Sequence, residues 1–237
     1  MEGLQKMAPF QNVRAVIFDF DGTLAFLNID FISMRDQVLD LVRRFGVDES
    51  SVRERYLLEL IDEVCQILWE KNPWDAETFY DEAHQILHKI ELRAAEEGRL
   101  IPGTKETLIH LRRNGMKIGI VTRNCEEAVR KVFPDINDFC DVFLSRSSIK
   151  KVKPHPDHLF SVLKSLGVRP GEAVMIGDHT IDILAGQRAG MKTIGVLTGK
   201  IQRGEFERAG ADYILREASE VCNLLVSGGP GESSSAG

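Results

Sequence analysis

Short apolar segments alternate with amphipathic segments along most of the chain, a pattern typical of a parallel β-sheet with helices on both faces. The first apolar segment, VRAVIFDF, covers residues 13–20. From residue 101 onward the pattern predicts strands over 117–122, 141–145, 173–178, 192–197 and 212–215, and helices over 104–114, 125–133, 157–166, 181–189 and 217–226. This order predicts an α/β fold with a doubly wound parallel sheet.

Residues 26–97 follow a different pattern, because their apolar positions recur three and four residues apart and no convincing strand is present. The spacing predicts three amphipathic helices, the first of which can end at Gly46. Ser51 and Glu54 form a capping-box pattern that predicts the start of the second helix. Asp75 is a suitable N-cap residue for the third.

This helical stretch comes after the first predicted strand and before all the others. We therefore expect a discontinuous core domain, residues 1–25 and 98–226, with a helical cap domain, residues 26–97, above the carboxyl edge of the sheet. Residues 227–237 are rich in Gly and Ser, a composition typical of a disordered tail.

The composition excludes several classes of protein. The 237 residues are 43% hydrophobic and 28% charged, which excludes a wholly disordered or fibrous chain. The net charge of −6 argues against a partner nucleic acid held by a broad basic surface. No apolar run approaches the roughly 18 residues of a membrane span, and the first dozen residues lack a signal-peptide pattern. We therefore expect a cytoplasmic protein with no membrane partner.

Polar residues stand at the ends of four predicted strands. In open α/β sheets, ligands bind outside the carboxyl ends of the strands, so these residues are candidate site residues. They are Asp19, Asp21 and Gly22 after the first strand, Thr122, Arg123 and Asn124 after the second, Lys153 before Pro154 after the third, and Asp178 and Asp182 after the fourth. We expect four carboxylates, one hydroxyl and one ammonium to lie together.

Four ionised aspartates beside one lysine would leave a net charge of about −3 in a small cleft, which is unstable unless pKa values rise or a cation binds. Carboxylate oxygens suit Mg²⁺, which also accepts phosphate ligands. Lysine and threonine suit phosphoryl oxygens. Asp19 and Asp21 are the paired carboxylates that covalent and acid–base chemistry requires, and Gly22 relaxes the backbone after the strand.

In this order, these residues resemble the four motifs of the haloacid dehalogenase-like hydrolase superfamily. The motifs are DxDGT at 19–23, the strand-end Thr122, Lys153 before a proline, and GDxxxD at 177–182. The chain looks closest to the phosphatases with a helical cap after the first strand, which include the phosphoglycolate phosphatases. The resemblance covers roughly residues 13–225.

The resemblance implies a covalent mechanism that depends on Mg²⁺. Asp19 would attack phosphorus and form an aspartyl-phosphate. Asp21 would protonate the leaving oxygen and then activate the water that cleaves the intermediate. The metal would bind the Asp19 carboxylate, the Asp21 backbone carbonyl and Asp178.

The same resemblance assigns the residues around the phosphoryl group. Thr122 and Lys153 would hold its oxygens, and Asp182 would support either Lys153 or the metal. Two roles stay open for Arg123: it is either a surface arginine or a partner for a second anionic group on the substrate. His179 lies inside the fourth motif and is a weaker candidate for the site. Residues 195–200, GVLTGK, lack the spacing of a P-loop and receive no role.

The predicted function is hydrolysis of small phosphorylated metabolites in the manner of phosphoglycolate phosphatases. Asp21 disfavours dehalogenation, because a carbon–halogen bond needs no acid for its leaving group. A sugar-phosphate mutase or another phosphotransferase of the same fold is the alternative, and a non-catalytic binding protein is a further one. Ala25 and Phe26 stand where phosphoglycolate phosphatases and mutases usually have an Asp-Ser or Asp-Thr pair, so the substrate stays open. We expect a monomer or a homodimer.

Overall fold

The structure is a computed structural model that describes residues 10 and 12–225. The predicted tail, residues 227–237, lies outside the described residues. The strands are β1 Ala15–Phe18, β2 Ala25–Phe26, β3 Arg99–Leu100, β4 Lys117–Val121, β5 Val142–Leu144, β6 Ala173–Gly177, β7 Lys192–Val196 and β8 Tyr213–Leu215. The α-helices are α1 Phe31–Arg44, α2 Leu57–Trp69, α3 Pro73–Glu96, α4 Thr104–Arg113, α5 Glu126–Val132, α6 Ile136–Phe139, α7 Asp157–Leu166, α8 Thr180–Ala189, α9 Arg203–Ala209 and α10 Val221–Leu225.

Strand β1 lies inside a six-stranded parallel sheet with the order β5-β4-β1-β6-β7-β8. Ile17 on β1 stands opposite Gly119 on β4 and Met175 on β6. All four β1 residues are buried, as a continuous apolar strand in a sheet covered on both faces requires. The predicted α/β fold class is confirmed.

Helices α7 and α8 cover one face of this sheet. Leu159 and Val162 of α7 and Ala185 of α8 form a buried cluster with Ile17 and Val121. Because packed apolar side chains of this kind resist displacement, the cluster fixes the strand ends that carry the predicted site residues.

The described chain divides into two compact units. Leu27–Gly98 forms one unit, and the chain before and after it forms the unit that contains the six-stranded sheet. The Leu27–Gly98 unit consists of α1, α2 and α3. Its α1 begins where the Asp30 side chain accepts a hydrogen bond from the Ser33 backbone at 2.9 Å, and the positive φ of Gly46 follows its end.

The predicted capping box at Ser51 and Glu54 is wrong. Ser51 ends a short 3₁₀ turn, and α2 begins only at Leu57. The reason is a contact from within α2: the Glu63 carboxylate accepts hydrogen bonds from the backbone N–H groups of Arg53 and Glu54 at 2.9 and 3.0 Å. The residues between Ser51 and Leu57 are therefore held as a loop.

The predicted N-cap at Asp75 is also wrong. Asn72 caps α3 with a side-chain oxygen 3.1 Å from the Trp74 backbone nitrogen, and Pro73 takes the first helical position, where its missing N–H costs nothing. Asp75 lies in the first turn instead.

The sequence pattern did not predict β2 and β3. These two-residue strands pair antiparallel, with Ala25 opposite Leu100 and Phe26 opposite Arg99. They are too short to produce a periodic pattern. They lie in the two connections on either side of the Leu27–Gly98 unit. Among the described residues, no helix has both the length and the apolar character that a membrane span requires.

His158 is a fully buried histidine on α7, and its side chain contacts the end of β5. Its Nε2 lies 3.3 Å from the Leu144 carbonyl, which also accepts a hydrogen bond from the Thr122 backbone at 3.1 Å. Burial, with the positive charges of Lys153 and Arg123, lowers the pKa of the imidazole to about 3. The ring is therefore neutral and donates from Nε2 to a strand end next to the predicted site.

We expect His158 to make the protein sensitive to acid. Above the ordinary pKa of 6.5 the group is neutral in both folded and unfolded chains, and its stabilising effect is fully present. Below that pH the unfolded chain binds a proton that the folded chain excludes until the pH nears about 3. Relative to a His158→Gln variant, wild-type protein should lose up to about 1.4 kcal/mol of unfolding free energy per pH unit in this window. Urea unfolding at several pH values measures the difference, and a difference that does not change with pH would contradict the prediction.

Candidate active site

The carboxyl ends of β1, β4 and β6 bring three predicted site residues to one edge of the sheet. Asp19 extends the pairing of β1, because its backbone N–H donates to the Ile176 carbonyl at 2.8 Å. Asp178 directly follows β6, and Thr122 directly follows β4. Asp19 and Thr122 are 8% and 1% exposed, so both lie in a largely water-excluded environment.

Lys153 places a buried positive charge between two carboxylates. Its Nζ lies 2.5 Å from Asp19 Oδ1 and 2.6 Å from Asp182 Oδ1. Burial acts to lower the pKa of Lys153, but Asp182 and Asp19 outweigh it and raise the pKa above its ordinary value. The ammonium is therefore charged. Lys150 and Lys151, the other lysines of this loop, are exposed.

Both carboxylate oxygens of Asp182 have partners within the protein. Oδ1 accepts from Lys153, and Oδ2 accepts from the His179 backbone N–H at 3.1 Å. A Cβ at Gly177 would lie 2.2 Å from the Asp182 carboxylate, so only glycine lets the group pack against β6. His179 caps α8, since its Nδ1 accepts from the Ile181 backbone N–H at 3.1 Å.

The backbones of two glycines enclose the Asp178 carboxylate. A Cβ at Gly22 would lie 2.1 Å from Asp178 Oδ2, and one at Gly199 would lie 2.0 Å from the same atom. Gly22 also has a φ of +80°, which L side chains rarely adopt. The Thr198 hydroxyl donates to the Gly22 carbonyl, so the loop after β7 is fastened to the turn after β1.

Thr198 and Gly199 are site residues that the sequence analysis missed. They lie in the segment GVLTGK, which does not match a P-loop. The available signal was topological, because Thr198 and Gly199 follow the carboxyl end of β7, the strand next to β6.

The aspartates repel one another, as the sequence predicts. Burial is the largest cause that raises the pKa of Asp178 to about 9, and Asp19, Asp182 and Asp21 add to it. Burial likewise raises the pKa of Asp19 to about 7, although Lys153 opposes the shift. A cation paired with these groups would restore their ionised forms.

Carboxylate oxygens in this cluster lie close enough together to bind one metal ion. One oxygen from each of Asp19, Asp178 and Asp182 lies within 4.8 Å of the others. An all-oxygen donor set suits a hard divalent cation. Because both Asp182 oxygens already accept hydrogen bonds, Asp19 and Asp178 are the better candidates for direct ligands.

The loop after β4 offers groups that could hold an anion. Thr122 Oγ1 accepts a hydrogen bond from the Asn124 backbone N–H at 3.2 Å, which orients the hydroxyl. In the described part of the chain, Asn124 Nδ2 is buried without a hydrogen-bond partner, as is Thr23 Oγ1. A buried donor without a partner lowers the stability of the folded protein unless a ligand or a water molecule accepts its hydrogen bond. The Arg123 guanidinium donates to the Lys153 carbonyl.

Comparison with known proteins identifies the family. A family model for haloacid dehalogenase-like hydrolases matches residues 16–196. The chain belongs to the haloacid dehalogenase-like hydrolase family. The resemblance that the sequence motifs indicate is therefore confirmed, as is the prediction of an enzyme of the hydrolase and phosphatase type.

Relatives and solved structures of this haloacid dehalogenase-like hydrolase match it over nearly their full length. Pyrophosphatase PpaX of Bacillus cereus is 30% identical in strain AH820 and 35% identical in strain B4264, over 90% of this chain and 96% of the relative. A haloacid dehalogenase-type phosphatase from Thermococcus onnurineus is 28% identical, with a TM-score of 0.58 and coverage of 90% of this chain and 98% of that one. A hydrolase from Pseudomonas syringae shares the fold at 23% identity, with a TM-score of 0.65 and coverage of 90% and 98%.

We expect a Gly199→Ala variant to weaken divalent-cation binding, because the added methyl group would displace the Asp178 carboxylate. Isothermal titration with Mg²⁺ should give an affinity reduced about 10- to 100-fold, as changes beside metal ligands typically do. Gly204→Ala is the matched control, since a Cβ there meets its nearest atom, Arg208 Nη1, at an ordinary 3.5 Å. Equal Mg²⁺ affinity in the two variants would contradict the prediction.

Proposed function

We propose that this haloacid dehalogenase-like hydrolase is a Mg²⁺-dependent phosphatase that hydrolyses small phosphorylated metabolites through an aspartyl-phosphate intermediate. The observation that supports it best is the buried Lys153 ammonium, 2.5 Å from Asp19 Oδ1. This contact favours the ionised form of a carboxylate that burial would otherwise protonate. Asp19 is thus suited to act as a nucleophile in a site that excludes most water.

The first half of the reaction transfers the phosphoryl group to the protein. An Asp19 carboxylate oxygen forms a bond to phosphorus while the bond from phosphorus to the leaving oxygen breaks. The Asp21 carboxyl group gives its proton to that oxygen, which leaves as an alcohol. Asp21 suits this role, because it stands two residues after the nucleophile and is less buried than Asp19.

The second half regenerates the enzyme. The Asp21 carboxylate takes a proton from a water molecule, whose oxygen attacks phosphorus. The bond from phosphorus to Asp19 then breaks, and inorganic phosphate is released. Splitting one displacement into two in this way lowers the barrier of each step.

Three residues would hold the phosphoryl oxygens during both steps. Thr122 and Lys153 supply a hydroxyl and an ammonium. The buried Asn124 Nδ2, which has no partner among the described residues, adds an amide donor. Asp182 orients Lys153 through the 2.6 Å contact between them.

A Mg²⁺ ion fits the carboxylates present, and Asp19, Asp178 and the Asp21 backbone carbonyl would hold it. When bound, it supplies positive charge that offsets the carboxylates and the charge of the transferred group. The raised pKa of Asp178 supports this assignment, because such a buried carboxylate needs a cation to stay ionised.

The names of the relatives suggest which substrates to test first. Pyrophosphatase PpaX is named for a substrate with no carbon, whereas the sequence motifs resemble those of phosphoglycolate phosphatases. Pyrophosphate and phosphoglycolate therefore belong in a screen of phosphorylated metabolites with Mg²⁺, read out as released phosphate. Conversion of a sugar 1-phosphate to its 6-phosphate without release would favour a mutase instead, and binding without turnover would favour a binding protein.

We expect Asp19→Asn to abolish turnover, because the amide cannot attack phosphorus. Phosphate release from p-nitrophenyl phosphate should fall at least about 1,000-fold, and acid-quenched enzyme should carry no phosphoryl group. Asp138→Asn, a change at an exposed aspartate of the same unit, is the control and should retain full activity. Comparable activity in the Asp19→Asn and wild-type proteins would overturn Asp19 as the nucleophile.

We also expect activity to depend on the metal. Excess chelator should abolish phosphate release, and Mg²⁺ should restore it. Ca²⁺ should restore little, because it prefers more ligands at longer distances. Full activity in excess chelator would overturn the metal assignment while leaving Asp19→Asn as an independent test of the nucleophile.

A further inference from the structure

Two arginines bind consecutive carbonyl oxygens in the loop that carries Lys153. The Arg123 guanidinium donates to the Lys153 carbonyl, and Arg188 Nη1 donates to the Pro154 carbonyl at 3.1 Å. A lysine side chain has four rotatable carbon–carbon bonds, so its Nζ is placed accurately only if the backbone beneath it is fixed. These contacts fix that backbone from two different elements, the loop after β4 and helix α8.

Arg123 is itself held in place. It follows Thr122 at the end of β4, and its carbonyl accepts a hydrogen bond from Arg146 Nη1 at 2.9 Å. The Arg146 backbone N–H donates to the Asn124 carbonyl at 3.1 Å. The loop after β5 therefore supports the loop after β4, which in turn supports the loop of Lys153.

The Arg123 guanidinium lies near other titratable groups of this unit. Arg123 is only partly exposed. Its positive charge, after burial, is among the causes that lower the pKa values of His158 and His179. His158 lies in the first turn of α7, which follows the Lys153 loop, and His179 caps α8, which carries Arg188.

We infer that Arg123 is a positioning residue for Lys153. Its hydrogen bond to the Lys153 carbonyl holds the backbone where Nζ can reach Asp19 and the phosphoryl group together. This differs from both roles that the sequence left open, a surface arginine and a partner for a second anionic group. The inference rests on the proposed role of Lys153 at the phosphoryl group.

The first experiment compares Arg123→Met, which keeps the length of the side chain and removes its donors, with Arg123→Lys. With p-nitrophenyl phosphate, kcat should fall at least about 10-fold in Arg123→Met and less in Arg123→Lys. A misplaced group near the reacting atoms typically has an effect of this size or larger. Arg208→Met, at an exposed arginine of the same unit, should be unchanged.

The same variants separate positioning from substrate recognition. Loss of positioning should reduce turnover of p-nitrophenyl phosphate and phosphoglycolate by the same factor, because Lys153 acts on the phosphoryl group that both substrates share. Recognition of a second anionic group would affect phosphoglycolate alone, because only that substrate has a carboxylate. A loss confined to phosphoglycolate would overturn the inference, and so would unchanged kcat on both substrates.

A double-mutant cycle separates positioning from a general effect on folding. If Arg123 acts through Lys153, then Arg123→Met should cause no further loss in a Lys153→Met background. Losses that multiply independently would overturn the inference. The cycle is also run on inorganic phosphate binding by isothermal titration, which needs no turnover.

This second readout keeps the inference distinct from the proposed function. Wild-type protein that binds phosphate but releases none from any ester would overturn the proposed function, while coupling of Arg123 and Lys153 in phosphate affinity would still support the inference. Wild-type protein that neither binds phosphate nor turns over would overturn both.

Discussion

A fully buried ammonium group is stable in a folded protein only where carboxylates surround it, and carboxylates in turn stay ionised there only beside a cation. Lys153 meets the first condition through Asp19 and Asp182 at 2.5 and 2.6 Å. Asp178 does not share this lysine, and its pKa is about 9. One ammonium beside two carboxylates still leaves negative charge, and the pKa of Asp19 is raised to about 7. The shortage of positive charge is greatest at Asp178, which is where a divalent cation fits.

The parallel sheet makes this crowding possible, because it brings the ends of separate strands to one edge without any long connection through solvent. Apolar packing of α7 and α8 on β1 supports the strand ends that carry these polar groups. Glycines then let the carboxylates approach the backbone. Asp182 packs on Gly177, and Asp178 lies between Gly22 and Gly199, at distances that a Cβ would not permit.

The sequence predicted the six strands of the parallel sheet, the fold class and the residues that meet at the sheet edge, because each depends on a local signal: a continuous apolar run, or a polar residue at the end of such a run. It failed where the deciding contact is distant in sequence. Glu63 holds the loop before α2 from ten positions along the chain. The N-cap of α3 is an exception, because the contact that selects Asn72 over Asp75 is local, to the Trp74 backbone two residues on. The pairing of β2 with β3 joins residues more than 70 positions apart and leaves no periodic trace. Gly199 was missed because its importance lies in its closeness to Asp178 in space.

Four contacts that the sequence motifs did not reveal share one chemical feature: a side chain donates a hydrogen bond to a backbone carbonyl in or near the site. Thr198 binds the Gly22 carbonyl, Arg123 that of Lys153, Arg188 that of Pro154 and His158 that of Leu144. Every residue type carries the same carbonyl, so the accepting position has no sequence signature. Three of the donors lie outside the motif positions, and the fourth, Arg123, was a candidate whose partner the sequence could not give. The groups that react with phosphorus are therefore visible in the sequence, as is Asp182, whereas the contacts that these four side chains make with carbonyl groups become visible only in the folded structure.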